Sequence, residues 1–86
     1  MKNTVTKNMV DKIFSEAEKE IYTVFGKCTI VCVKLKNGFV LTESSACVDP
    51  ENYSQCLGEE ICFEKIKNKI WELEGYKLQC DIYEEE

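Results

Sequence analysis

Three groups of residues in this chain are of types and spacings that could bind or react. The first is Ser44-Ser45, just ahead of Asp49-Pro50-Glu51-Asn52. Hydroxyls beside the backbone N–H groups of a starting helix suit a phosphate or a ribose edge. The same residues also satisfy local backbone groups at many turns with no ligand at all. The second group is the lysines: Lys34 and Lys36 on one hairpin face, and Lys65 and Lys69 one helical turn apart. Two such pairs would neutralise two phosphates, although surface lysines are more often simply solvated. The third is the aromatic set Phe25, Phe39, Tyr53 and Trp71, any of which can stack on a base or merely fill a core. Phe39, Thr42, Ser44, Ser45, Asn52, Lys34, Lys36, Lys65 and Lys69 are the expected ligand-binding set.

Catalysis has little support. The chain has no His, which removes the commonest general base and metal ligand. No cysteine has a His partner, and no acidic pair is tied to a cleft by spacing. A binding protein without catalytic residues, metal or cofactor is expected. Eleven lysines against sixteen acidic residues give a net charge of −5 with no Arg, which argues against a nucleic-acid polymer as partner. The six cysteines, at 28, 32, 47, 56, 62 and 80, show no C-x2-C pair, so zinc is not indicated. Without a secretory signal they are expected to be reduced, most of them as small buried hydrophobes.

These residues need a scaffold, and 86 residues make one domain, 1–86, with a thin core. The start, MKNTVTKNMVDK, lacks the apolar stretch of a signal peptide, and no apolar run reaches ~18 residues, so a cytoplasmic location is expected. Val5, Met9, Val10, Ile13, Phe14, Ala17 and Ile21 form one stripe, which predicts an amphipathic helix from 4 to about 20, capped by Asn3 or Thr4. Its mixed charge does not suit a membrane surface. Ile21–Phe25 begins a first strand. Thr29–Lys36 and Phe39–Ser45 pair around Asn37-Gly38, a strong hairpin signal.

A two-residue loop there would set Lys36 opposite Phe39, Leu35 opposite Val40 and Val33 opposite Thr42. Both sheet faces would then carry apolar residues, and one helix cannot cover both, which implies a second layer or a second subunit. Asp49-Pro50-Glu51 opens the next helix, with Ser54 as a second possible cap, and Gly75 closes it after Leu73. Cys62, Phe63, Ile66, Ile70 and Leu73 share one face, while Leu57, Ile61 and Trp71 lie nearly opposite, a face expected to meet another chain. The alternation in Tyr76–Tyr83 suits a short edge strand. The fold class is α+β: an N-terminal helix, a small antiparallel sheet built on the hairpin, and a long C-terminal helix packed on it.

The run VCVKLKNGFVLTESSACVDPENY, followed by LGEEICFEKIKNKIWELEGYKL, resembles a family of short phage and prophage proteins. Its members share a G-E-S-A-C-V-x-P-x-N-[FY] type segment, then I-G-x-x-I-A, a long helix and a closing L-W-x-L-E-G-Y. Over about residues 28–78 the agreement in order and spacing covers Glu43-Ser44, Ala46-Cys47-Val48, Pro50, Asn52-Tyr53, Gly58 and Trp71-Glu72-Leu73-Glu74-Gly75-Tyr76. The chain is also similar in size and order of elements to the first type of Thoeris anti-defence protein. Those proteins are oligomeric sponges that bind cyclic ADP-ribose isomers made by TIR-domain enzymes without cleaving them, and some hold cyclic di- or trinucleotides.

The resemblance implies a homo-oligomer, a dimer or a trimer of dimers, acting in the cytoplasm of an infected bacterium. Its partner would be a small cyclic nucleotide, in a pocket between subunits. Relatives tend to carry basic residues where this chain has Glu59 and Phe63. A phosphate site built on those positions would be weakened or lost here. An interaction module that blocks a host protein is the alternative expectation, favoured by the acidic balance. A virion or assembly accessory is a third.

Overall fold

The computed structural model describes residues 4–85, and Asn3 therefore lies outside the described residues. The chain runs α1 (Lys7–Glu16), β1 (Glu18–Val24), β2 (Cys28–Lys34), β3 (Val40–Ala46), a 3-10 turn (Pro50–Asn52) and α2 (Gln55–Glu85). The strands form one antiparallel sheet in the order β1-β2-β3. The α+β class is as expected.

α1 is shorter than its apolar stripe predicts. Thr6, not Thr4, caps it: the Thr6 hydroxyl accepts from the Met9 N–H at 3.3 Å. The helix ends at Glu16, because Ala17 is already extended. Residues 18–20, expected to be helical, instead pair with 32–34 of β2. Lys19 on β1 then spans the Phe14 ring at 4.5 Å, and Glu18 meets Lys34 at 3.8 Å. Sheet pairing outweighs the helix propensity of Glu-Lys-Glu here.

The hairpin exists, but its register differs by one residue. Lys34 faces Val40 and Val33 faces Leu41. The Leu35 N–H bonds to Phe39 O at 2.8 Å and the Gly38 N–H to Leu35 O at 2.9 Å, with Gly38 at φ +94. This is a type I turn closed by a left-handed residue, a three-residue loop. A one-residue slip turns a strand over. Leu41, Glu43 and Ser45 therefore stand with Val31, Val33 and Thr29, while Val40, Thr42 and Ser44 stand with Cys32 and Ile30. Lys34 and Lys36 do not share a face as expected: Lys36 sits in the loop and reaches Glu16 at 3.5 Å.

α2 starts at the second of its two expected caps, and its far end overrides two expectations. Ser54 is its cap, accepting from the Leu57 N–H at 3.3 Å. Gly75 does not end it, because Gly75 lacks the positive φ that stops a helix, and the chain continues to Glu85. The edge strand expected over 76–83 is therefore helix. Once a helix is running, each further residue adds a hydrogen bond, and no proline intervenes. At 31 residues α2 is about 46 Å long. The molecule is elongated, with a radius of gyration of 15.6 Å where about 12 Å would suit a sphere-like chain of this size.

Both helices contribute to one core. Val10 and Phe14 of α1, Val31, Val33 and Leu41 of the sheet, and Cys62, Ile66 and Ile70 of α2 are buried. Phe63 packs edge-on against Phe14, with centroids 5.1 Å apart. Leu73, expected on the buried face, is 39% exposed, because it borders an open apolar hollow with Phe39 and Leu41. The far side of the sheet, with Tyr22, Ile30, Cys32 and Val40 among charged and hydroxyl residues, has no second layer among the described residues. All six cysteines are free thiols, but only Cys62 is fully buried, and Cys56 is exposed.

Candidate functional site

One end of the sheet gathers the loop of residues 47–54 against the start of α2. The Cys47 N–H bonds to Lys27 O at 3.0 Å, and Lys27 Nζ returns to Val48 O at 3.3 Å, which pins the loop to the β1–β2 turn. Asp49 caps the 3-10 turn through the Glu51 N–H at 2.9 Å, with Pro50 at the first turn position. Tyr53 then swings its hydroxyl under the sheet, 2.6 Å from the Thr29 Oγ1 and 3.0 Å from the Thr23 Oγ1. Thr29 is the buried polar residue of the core, and Tyr53 supplies its side-chain partner.

Gly58 is where α2 crosses β2 most tightly. A Cβ at Gly58 would lie 2.9 Å from the Thr29 Cβ and closer still to its Oγ1. A glycine here is a steric requirement. Between loop and helix lies a cleft of about 120 Å³, lined by Ser45, Cys47, Asn52, Tyr53, Leu57, Gly58 and Ile61 among others. Cys47 Sγ donates to Asp49 O at 3.3 Å, within the loop beside it. The cleft is well below the volume that encloses a nucleotide-sized ligand.

The second arrangement lies along the outer edge of β3. Residues 41, 43 and 45 face β2 with their backbone groups, which leaves those of Thr42 and Ser44 pointing outward. Two lysines of α2 reach across to them: Lys65 Nζ bonds to Ser44 O at 3.1 Å and Lys69 Nζ to Thr42 O at 3.3 Å. Lys69 also pairs with Glu43 at 2.7 Å. The hydrogen bond from Lys69, followed by the Coulomb attraction of the same ammonium, holds the Glu43 carboxyl below its ordinary range. A shallow polar hollow of about 350 Å³ opens here between Ile30, Thr42, Glu43, Ser44 and Lys69. A smaller apolar one, about 170 Å³, adjoins it between Phe39, Leu41, Lys69, Glu72 and Leu73.

The structure thus divides the expected ligand set. Phe39, Thr42, Ser44, Lys65 and Lys69 come together on the β3 edge. Ser45 and Asn52 line the separate cleft at the helix start. Lys34 and Lys36 lie at the hairpin end of the sheet, far from the cleft and near Phe39, but they pair with Glu18 and Glu16 and join neither group. Tyr53, Leu57, Gly58 and Ile61 shape the cleft but were absent from the set. The glycine that opens the I-G-x-x-I-A segment was the available signal for Gly58. Phe63, one of the two positions where a phosphate site was expected to be weakened, packs against Phe14 and serves the core. Among the described residues no His, Cys, Asp and Glu cluster could hold a metal ion, and no helix is both long and apolar enough to cross a membrane.

Compared with known proteins, residues 2–82 match the model of one family, described as "Phage protein (N4 Gp49/phage Sf6 gene 66) family". Neither the curated proteins nor the solved structures contain a match.

Proposed function

Since the chain belongs to the phage protein family of N4 Gp49 and phage Sf6 gene 66, we propose that it is a phage counter-defence protein that captures a cyclic nucleotide immune signal without cleaving it. A cyclic ADP-ribose isomer is the ligand favoured by the resemblance to the Thoeris anti-defence proteins; cyclic di- and trinucleotides are the other candidates. The protein acts in the cytoplasm of the infected bacterium as a homo-oligomer.

One observation supports this most. The residues shared with the phage pattern, among them Ala46, Cys47, Asn52, Tyr53 and Gly58, converge from three separate stretches on a single cleft. Packing on Thr29 accounts for Tyr53 and Gly58, but not for the Asn52 amide that lines the same opening as the exposed Leu57 and Ile61. The cleft is too small to enclose a nucleotide, and the Lys65–Lys69 edge lies further along α2 from it. A ligand with two phosphates and a purine is met by a few donors, two ammonium groups and an aromatic ring, supplied across copies of the chain. Tight capture alone lowers the free signal below its receptor's threshold.

The test is calorimetry of the full chain with a panel of cyclic ADP-ribose isomers and cyclic oligonucleotides. Submicromolar binding of one, with intact ligand recovered on denaturation, is expected. Absence of heat across the panel removes the reading, and a cleaved product would make the protein an enzyme. The net charge of −5 and the acidic end of α2 favour a second reading, an inhibitor that docks on a basic host protein. A stoichiometric host protein retained from lysate, in place of a small molecule, would establish it.

A further inference from the structure

Past Ile70, its last fully buried residue, α2 runs on to Glu85. This far part of the helix carries the net charge of the whole chain. Residues 1–70 hold ten lysines and ten acidic residues, while residues 71–86 hold one lysine and six acidic residues. The charge is also set against the dipole of the helix. Glu84 and Glu85 stand at the negative end of α2, and no basic residue occupies its last turn. Within one chain that arrangement costs stability, and cations from outside would relieve it.

An apolar groove lies beside these charges. Val5 and Met9 form one wall and Leu78 of α2 the other, around a volume of about 350 Å³. Glu74, Lys77, Leu78 and Asp81 recur at steps of three, one and three, which places them on one face of the helix. Val5 packs on the core, whereas Met9 is 42% exposed. A flexible thioether in that place adapts to the shape of an incoming side chain. Glu74 and Asp81 stand two turns apart on the rim, with Lys77 alone between them. Among the described residues neither carboxylate is engaged in an ion pair, so the rim stays negative.

We propose that this groove docks a basic segment of a partner protein. One apolar side chain of that segment enters between Val5, Met9 and Leu78, and flanking lysine or arginine residues meet Glu74 and Asp81. An apolar anchor inside a charged rim is how protein–protein contacts combine affinity with choice of partner. The carboxylates disfavour an acidic partner, and the apolar walls give nothing to one that offers charge alone. A second copy of this chain is a poor occupant, because its lysine-rich stretch is already engaged: Lys65 by Ser44 O, Lys67 by Asp11 and Lys69 by Glu43. The groove deepens the reading of an inhibitor that docks on a basic host protein, on which it rests, and it stands apart from nucleotide capture.

Fluorescence anisotropy of the full chain with a labelled amphipathic peptide of leucine and lysine tests the groove, with an all-lysine peptide of equal length as control. The leucine–lysine peptide should bind about tenfold more tightly or better, because only it fills the groove. Glu74→Gln with Asp81→Asn should weaken that binding about tenfold at low salt and reduce its salt dependence. Met9→Gln should weaken it by a similar factor and leave the salt dependence in place. Glu51→Gln with Glu60→Gln removes the same charge from exposed positions outside the groove and should leave binding unchanged. Circular dichroism should report intact helices in every variant. Equal binding of the two peptides, or binding of neither, overturns the proposal. So does a Glu74→Gln, Asp81→Asn chain that binds as tightly as the wild type. A Met9→Gln chain that keeps the peptide but sediments as a smaller species would give the groove to a second copy and overturn it equally. A wild-type chain that binds the peptide but retains no host protein from lysate removes the host-protein reading alone, and the converse removes the groove alone.

Discussion

Single atoms decide whether the candidate cleft exists. At Gly58 one added methyl group would collide with Thr29, a residue fixed by the sheet on one side and by the Tyr53 hydroxyl on the other. Neither neighbour can yield without breaking that pairing. Gly58→Ala is therefore expected to lower the unfolding free energy by about 1–3 kcal/mol, although alanine is the better helix former. A shift of the urea midpoint to lower concentration would show it; an unchanged or higher midpoint would mean that the helix does not approach β2 so closely. Glu43 makes the second residue-scale case. Its folded pKa lies below its ordinary value of 4.5, so its pairing with Lys69 contributes stability in full above that value. The contribution is lost as pH falls through the lowered folded pKa. Glu43→Gln should flatten the fall in stability on the acid side of pH 4.5 and also reduce stability at neutral pH. Unfolding curves collected down the acid range, superimposable for the two proteins, would contradict this.

The elements are placed by turns more than by propensities. The β2–β3 loop is a residue longer than an Asn-Gly pair suggests, and that single residue decides which side of β3 faces the helices. Gly38 carries the positive φ that closes it, in open space. Gly38→Ala should accordingly cost about 1 kcal/mol through backbone strain alone, with no steric component. Thermal unfolding would register it as a few degrees, and a neutral outcome would mean that Gly38 does not hold this positive φ. The same register sends Leu41 and Glu43 inward and puts Thr42 and Ser44 at the open edge. Lys65 and Lys69 reach that edge only because α2 crosses β3 where it does. Bridging lysines also deny two carbonyls to any incoming strand, which protects the sheet from edge pairing.

At the scale of the whole molecule, a thin core holds up a long helix. Two helices cover one face of the sheet, and the other face, with the last four turns of α2, faces outward. A ligand held by such a chain must lie on its surface or between copies of it. If the β3 edge contributes phosphate contacts, Lys65→Ala should weaken cyclic nucleotide binding by about tenfold, the worth of a charge-assisted hydrogen bond, without loss of helix content. Calorimetry at low and at high salt is the measurement. Affinity unchanged by the substitution would take the β3 edge out of the site and leave the cleft at the start of α2 as the remaining candidate.

Much of this was legible in the residues alone. The α+β class, the apolar stripe of the first helix, the hairpin at Asn37-Gly38, the Ser54 cap and the exposed row of Leu57, Ile61 and Trp71 follow from periodicity and turn chemistry, which act over a few residues. Neither the short α1 nor the continuous α2 could be read in this way. Glu18–Glu20 are good helix formers drawn into a strand by partners some fourteen residues away, and Gly75 becomes a stop only if the chain turns there. The register of β3, and with it the separation of Lys34 and Lys36 from Lys65 and Lys69, was settled by contacts between elements. Sequence spacing fixes which residues lie near each other along one helix or strand; which helix meets which strand is decided by burial of the common core, a property of the whole chain at once.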